Sequence, residues 1–181
     1  MNVFGYILFA LALGLNAMLA MRNSAQYAKI RLTRGLFYAV LTAFVAVLLV
    51  LAGIWMASLF TYQIGDLDSG VFDGVMILLA GKWAIATLSK HQREASYNIA
   101  DTRTMVLLSI ALGLDALIGG IGFGFAADIA DSWLKASLPI VLLVALFVYF
   151  GIMLGRSGVE LKQRRWRLVA ILFVVVVVFM N

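Results

Sequence analysis

A single carboxylate stands in the middle of a long apolar run. Asp115 is the only charged residue between Thr104 and Ala127. An ionised carboxylate in the hydrocarbon core of a membrane costs about 3 kcal/mol or more, so we expect this side chain to face a bundle interior, a polar partner or a water-filled cavity. A carboxyl group at this depth can also exchange a proton for an incoming cation, which leaves proton coupling open. The chemistry to consider first is therefore ion binding.

The setting of Asp115 occurs twice in the chain. The stretch ALGLNA contains Asn16, and 99 positions later the stretch ALGLDA contains Asp115. A second similarity, between residues 50–54 and residues 148–152, has an offset of 98. Two similarities at nearly the same offset predict an internal duplication, which would bring Asn16 and Asp115 close together.

Carboxylate and amide oxygens are hard ligands. Asp115 and Asn16 therefore suit manganese, magnesium, calcium or sodium better than a soft metal. The chain has no cysteine, and its single histidine, His91, lies in a predicted loop, which argues against a zinc or copper site in the core. We expect no cofactor beyond a bound hard cation. The alternative is that Asn16 and Asp115 form a hydrogen bond that only holds the two halves together.

Glycines surround the carboxylate on the same predicted helix, including Gly113, Gly119 and Gly120. One role is close helix packing, for which Gly120 and Gly124 have the small-xxx-small spacing. The other is local unwinding that exposes backbone carbonyls to an ion. Packing is the favoured interpretation.

Lys82 is a second charge inside a predicted span. Because it lies toward one end of its helix, its ammonium group can snorkel part of the way to the interface. It can equally provide a counter-charge to Asp115. Both interpretations stay open from the sequence.

The elements that position these residues are membrane helices. Of the 181 residues, 64% are apolar and 13% are charged, and the mean hydropathy is +1.04, which is too apolar for the surface of a soluble domain. A helix needs about 20 apolar residues to cross the bilayer. The predicted fold class is an all-α integral membrane protein with the lipid bilayer as its main partner. Its six transmembrane helices are predicted at 3–21, 35–61, 70–88, 104–126, 133–155 and 167–180, the last of them short.

The charged residues predict the orientation. Twelve of the 14 Lys and Arg residues lie in the connections between helices 1 and 2, 3 and 4, and 5 and 6. The positive-inside rule places these connections in the cytoplasm and both termini outside, in a bacterial-type cytoplasmic membrane. The net charge of +5 is then a topology signal, and nucleic acid is not an expected partner. The other two connections carry only acidic charges: Asp66, Asp68, Asp128 and Asp131.

The duplication predicts two repeats of three helices, residues 1–88 and 104–181, joined by a cytoplasmic loop at 89–103. Because each repeat has an odd number of helices, the two are inverted relative to each other in the membrane. Many secondary transporters have this arrangement, with the substrate site near the midplane between the repeats. A homo-oligomer and other membrane subunits are left open as further partners.

The sequences around Asn16 and Asp115 resemble motifs of the MntP family of manganese efflux pumps, within the broader group that includes the lysine exporters. Leu114-Asp115-Ala116 matches the family's Asp motif in helix 4, and Leu15-Asn16-Ala17 matches the motif in helix 1 with Asn in place of Asp. Leu79-Ala80-Gly81-Lys82 resembles the glycine-plus-basic motif of helix 3. The resemblance covers most of the chain and implies six helices, two related halves and manganese export.

The chain departs from the family pattern at several polar positions. Ala86 stands where the family has a glutamate in helix 3, and Ala46 and Val50 stand where it has a polar residue and a proline in helix 2. One core carboxylate remains where the pattern supplies several. A divalent ion held by one carboxylate is poorly compensated in a low dielectric.

Two functions follow from these observations. The first is a secondary transporter that exports a cation, manganese above all, through a midplane site between helices 1 and 4. The second is a non-transporting accessory or structural subunit of a membrane complex, in which the ion site has decayed. An enzyme is not expected, because one core carboxylate without a core His or Cys is too few groups for acid–base chemistry. Ser109, six residues before Asp115, is not at a helical pairing distance from it.

Overall fold

The part of the chain that the structure describes consists mainly of six α-helices. The computed structural model describes residues 3–28, 30–64, 68–88, 97–126, 129–158 and 162–180, and no strand occurs in these ranges. His91, Asp66 and Asp128, which are predicted to lie in connections, fall outside the described residues. The helices are α1 (Val3–Tyr27), α2 (Leu32–Ile64), α3 (Asp68–Leu88), α4 (Thr102–Ala126), α5 (Ile129–Arg156) and α6 (Gln163–Phe179).

The first helix continues past the apolar run that predicts it. It ends at Tyr27 rather than at residue 21, because the polar residues that follow the run include no glycine or proline to stop a helix. Arg22, expected in the first connection, is therefore helical, and it is buried with 4% exposure. At the end of α5, by contrast, Gly158 has a φ of 70°, in the left-handed region that commonly terminates helices.

The helices have the length and composition of membrane spans. Five of them are long and apolar enough to cross, over residues 3–26, 32–60, 70–88, 102–125 and 135–156. α6 has 17 residues, and at about 1.5 Å per residue it is about 25 Å long, against a hydrocarbon core of about 30 Å. Large apolar side chains such as Leu78 and Ile85 are more than 70% exposed on the outside of the bundle. The chain is thus an all-α, multi-pass membrane protein, and its described residues form six helices, as predicted.

Helices from the two halves of the sequence pack on each other. α1 lies mainly against α5 and α6, and α4 lies mainly against α2 and α3, while α2 also contacts α5 and α3 contacts α6. A Cβ atom built on Gly120 would lie 2.3 Å from the carbonyl oxygen of Val50, and one built on Gly124 would lie 2.9 Å from that of Ile54. α4 and α2 therefore meet backbone to backbone, which fixes the position of α4.

A second pair of helices repeats this close approach. A Cβ atom built on Gly53 of α2 would lie 2.3 Å from the carbonyl oxygen of Leu117 on α4. A Cβ atom built on Gly151 of α5 would lie 2.4 Å from the carbonyl oxygen of Met18 on α1. Gly151 follows Gly53 by 98 positions, and Leu117 follows Met18 by 99. The two contacts are therefore equivalent at the offsets found in the sequence.

Two further contacts recur at the same offsets. A Cβ atom on Gly113 of α4 would lie 2.5 Å from Leu49 of α2, and one on Gly14 of α1 would lie 2.7 Å from Phe147 of α5. Gly113 follows Gly14 by 99 positions, and Phe147 follows Leu49 by 98. A third pair of contacts matches in the same way. A Cβ atom built on Gly124 would lie 2.5 Å from the Cβ of Ala57, and one built on Gly155 would lie 2.7 Å from the Cβ of Ala25.

Candidate functional site

Asp115 lies halfway along α4, where donors from two other helices meet its carboxylate. Asn16 Nδ2 on α1 donates a hydrogen bond to Oδ2 at 3.1 Å, and Trp83 Nε1 on α3 donates to the same oxygen at 2.9 Å. The ammonium group of Lys82, also on α3, forms an ion pair with Oδ1. Asp115 is 4% exposed. These three donors offset the cost of burying a carboxylate, which is high when the group lacks partners.

The direction of Asp115 follows from the two faces of α4. Gly113 and Gly120 are seven residues apart and lie against α2. Asp115 and Gly119 are four residues apart, so they share another face, and a Cβ atom on Gly119 would overlap the ring of Phe9 on α1. α4 is unbroken across all these positions. Its glycines therefore lie at packing contacts in a continuous helix, without an unwound segment.

Lys82 and Trp83 are neighbours on α3 with different surroundings. Trp83 is buried, with 6% exposure. The side chain of Lys82 is 54% exposed, whereas that of Asp115 is 6% exposed. The lysine stem therefore lies along open space while its ammonium group reaches a buried oxygen. Lys82 could snorkel to the interface or provide a counter-charge to Asp115, and in the structure it forms the ion pair with Asp115.

A cavity of about 380 Å³ adjoins the carboxylate. Asn16, Lys82 and Asp115 line it at mid-depth, whereas Asn23 lies near the end of α1 and Arg167 near the start of α6. The cavity therefore extends from the middle of the bundle toward the end with the α1–α2, α3–α4 and α5–α6 connections. Among the described residues along this lining, Asp115 is the single carboxylate.

Aromatic rings close the bundle on the other side of Asp115. Phe123 has ring centroids at 4.8, 4.9 and 6.0 Å from those of three other aromatic residues, and all four are at most 1% exposed. Phe123 lies eight residues beyond Asp115 on α4, which is about 12 Å along the helix axis. The cavity is thus open toward one end of the bundle and closed toward the other. We refer to these four residues, Tyr6, Phe9, Phe72 and Phe123, as the aromatic cluster.

Two parts of the site are not apparent from the sequence pattern. Trp83 is overlooked because tryptophans in membrane helices are usually interface anchors; the usable signal is that an indole N–H inside a span needs an acceptor. The second part is a buried cluster at the cavity mouth, where Arg22 Nη1 and Gln163 Nε2 both donate to Asn23 Oδ1. Its members come from α1 and α6, and helix boundaries drawn from hydropathy leave all three of them in loops.

The site offers oxygen ligands for a cation, and Ser109 is not paired with Asp115 as a nucleophile would be with its base. The carboxylate of Asp115 and the side-chain amide of Asn16 line one cavity, and their oxygens are hard ligands. No group of three or more His, Cys, Asp or Glu side chains lies together in the described ranges. Ser109 hydrogen bonds to Thr42 at 3.0 Å and to the Met105 carbonyl, not to Asp115. The geometry suits reversible binding of a partly hydrated cation.

Comparison with known proteins identifies the family of the chain. Residues 29–180 match the model of the Mntp family, described as "Putative manganese efflux pump". A curated MntP protein of the same description from Gloeothece citriformis is 28% identical over 99 residues. That similarity covers 54% of this chain and 48% of the relative, so the match spans about half the length of each. No solved structure matches the chain. The family model covers most of the sequence, and the chain belongs to the Mntp family of membrane transporters rather than to a family of enzymes.

Proposed function

We propose that this chain is a secondary transporter that exports a divalent cation, manganese, across a bacterial cytoplasmic membrane. Asp115 is the main ligand, Asn16 is a neutral ligand, and water completes the coordination shell. The description of the family and of the Gloeothece relative supports manganese as the substrate. Carboxylate and amide oxygens are ligands that suit Mn²⁺.

The observation that carries the proposal is the position of the Asp115 carboxylate. It is buried halfway along its helix, yet it lines a cavity that is open toward one end of the bundle. Ionisable groups inside membrane spans usually belong to substrate or ion pathways. A purely structural hydrogen bond to Asn16 would not require 380 Å³ of open space beside it.

The second part of the proposal is an inverted repeat of three plus three helices. In such a repeat α1 corresponds to α4, α2 to α5 and α3 to α6. The packing agrees with this correspondence, because α1 packs on α5 and α6 while α4 packs on α2 and α3. The equivalent contacts of Gly53 with Leu117 and of Gly151 with Met18 support the same exchange at residue level. Two halves related in this way can rock about a shared central site, which is the basis of alternating access.

The direction of transport follows if the basic connections are cytoplasmic. The cavity beside Asp115 then opens to the cytoplasm, where an exporter takes up its ion. The aromatic cluster forms the barrier on the outer side, with Phe123 in contact with the other three rings. In this assignment the conformation is the loading state, and export requires the cluster to separate as the mouth of the cavity closes.

The test is Mn²⁺ flux into liposomes that contain only the purified chain. We expect measurable flux for the wild type and none for Asp115→Asn. Asp101→Asn is the matched control, because Asp101 is an exposed carboxylate just before α4 and Asn retains its helix-capping ability. The Thr104 hydroxyl and then the Arg103 N–H hold the pKa of Asp101 below its usual value of 3.8, so this control also removes a negative charge at neutral pH. Full flux with Asp115→Asn would refute the role of Asp115.

A specific observation favours the second candidate, an accessory subunit with a decayed site. Asp115 already accepts hydrogen bonds from Asn16 and Trp83 and pairs with Lys82, as a structural carboxylate would. In that case Asp115→Asn lowers stability, and the chain co-purifies with another membrane protein. Mn²⁺ flux by the purified chain alone would exclude this candidate.

A further inference from the structure

We propose that the ammonium group of Lys82 is a tethered competitor of the transported cation. It occupies the cation position at Asp115 when no ion is bound and moves into the cavity when an ion arrives. This inference rests on the proposed function, since it assumes that Asp115 is the ion ligand. It assigns to Lys82 a part in the transport cycle that a static counter-charge would not have.

The charges around the site require such an exchange. The described lining residues of the cavity include one carboxylate, Asp115, and two cations, Lys82 and Arg167. A divalent ion that joined the ion pair of Lys82 and Asp115 would add two positive charges to a neutral pair. Repulsion between an ammonium group and a cation a few ångströms apart is several times stronger inside a protein than in water. Stable binding of the ion therefore requires the ammonium group to withdraw.

Lys82 has the freedom to withdraw, and its neighbour does not. Its side chain is 54% exposed, and lysine carries its charge on a flexible four-carbon stem. Ala86, one helical turn further along α3, lines the same cavity and presents only a methyl group, so space is open next to the lysine. Trp83 is buried, with its indole N–H bonded to Asp115, and it stays to hold the carboxylate in place.

The exchange solves a problem of the empty carrier. After the ion leaves, a lone ionised Asp115 would have to stay buried while the two halves return to the loading state. A buried charge that loses its partner is strongly destabilising. The ammonium group of Lys82 restores the pair, so the ion-free carrier returns with Asp115 compensated. One carboxylate is then sufficient for a cycle in which the site is always occupied by a cation.

The first experiment measures Mn²⁺ binding to the purified chain from the electron paramagnetic resonance signal of the free ion. We expect Lys82→Met to bind Mn²⁺ at least about tenfold more tightly than the wild type, because the competitor is gone. Lys162→Met is the control, since Lys162 is an exposed lysine before α6, and it should bind as the wild type does. Asp115→Asn in the Lys82→Met background should abolish the gain. Equal or weaker binding by folded Lys82→Met would overturn the inference.

The second experiment uses the wild-type chain, so it does not depend on the folding of a variant. Amines are acetylated briefly with and without Mn²⁺, and the modification at each lysine is measured by mass spectrometry. If the ion displaces the ammonium group, Mn²⁺ should increase acetylation of Lys82 several-fold and leave that of Lys162 unchanged. Unchanged or decreased acetylation of Lys82 at saturating Mn²⁺ would overturn the inference.

The two proposals fail in different ways. If the wild type binds and transports Mn²⁺ and Lys82→Met binds it no more tightly, the competitor role is wrong while the transporter function stands. If neither the wild type nor Lys82→Met binds Mn²⁺, the proposed function is wrong, and the competitor role falls with it.

Discussion

The amide of Asn16 donates a hydrogen bond to the carboxylate of Asp115 at 3.1 Å, across 99 positions of the chain. The two residues are at equivalent positions of the ALGLNA and ALGLDA stretches. The site is therefore asymmetric at the point where the halves of the chain are most alike. One half contributes a charge, and the other contributes a neutral amide.

This asymmetry makes Asn16→Asp an informative substitution. It places a second carboxylate beside Asp115, where Lys82 compensates for only one of them. Because affinity for hard cations rises with the number of charged ligands, we expect Mn²⁺ binding to tighten about tenfold or more. Titration of the purified variant with Mn²⁺ measures the change.

The matched control for Asn16→Asp is Asn98→Asp. Asn98 is exposed and lies outside the helices, where its side chain accepts a hydrogen bond from the Ala100 N–H. This substitution adds the same charge at a residue that is not among those lining the cavity, so Mn²⁺ binding should stay at the wild-type value. If Asn16→Asp also left binding unchanged, Asn16 would not be next to the ion.

The site was partly predictable because two kinds of information lie in local sequence. A carboxylate in an apolar run must find a partner inside the bundle, and the offset of 99 indicated Asn16 as that partner. The six helices follow from runs of apolar residues for the same reason. Such inferences depend on composition and order along the chain, both of which are visible without a structure.

Other features depend on how the helices are placed relative to one another. The sequence pattern of a single helix does not contain that information. Whether Lys82 snorkels or pairs with Asp115 depends on the distance between α3 and α4, which is set by packing. Hydropathy places Arg22 in a loop, because it marks the edge of the membrane rather than the end of the helix. The third donor, Trp83, is not apparent in the sequence, because only the structure shows that α3 faces Asp115.

Trp83→Phe tests that third donor. The substitution keeps an aromatic ring but removes the Nε1–H that donates to Asp115 at 2.9 Å. A hydrogen bond to a charged group contributes about 1.5–3 kcal/mol, so the free energy of unfolding should fall by about that amount. Chemical denaturation in detergent measures the loss. Trp55→Phe is the control, since Trp55 is 57% exposed, and a similar loss there would show that the effect is not due to Asp115.

Gly120→Ala tests the backbone contact that positions α4. The added methyl group would lie 2.3 Å from the carbonyl oxygen of Val50, and backbone atoms cannot move aside as a flexible side chain can. We expect the variant to be destabilised by about 1–3 kcal/mol, as is typical of overpacking. Thermal unfolding of the purified variant measures this.

The control for Gly120→Ala is Gly74→Ala. A Cβ atom on Gly74 has no neighbour within 4 Å, and Gly74 lies inside α3, where Ala is favoured over Gly by about 1 kcal/mol. This variant should be as stable as the wild type or more so. Equal loss of stability in both variants would argue against a specific contact between α4 and α2.

Phe123→Leu tests whether the aromatic cluster is the barrier opposite the cavity. Phe123 contacts the other three rings and is fully buried, so a smaller side chain leaves a gap between the site and the closed end of the bundle. Leucine keeps the position apolar and limits the cavity that truncation to alanine would create. We expect Mn²⁺ to leak down its gradient through liposome-embedded Phe123→Leu several times faster than through the wild type. Phe44→Leu, at a 58% exposed position on the outside of α2, should not leak. If Phe123→Leu is folded and as tight as this control, the ion does not pass the aromatic cluster on its way out.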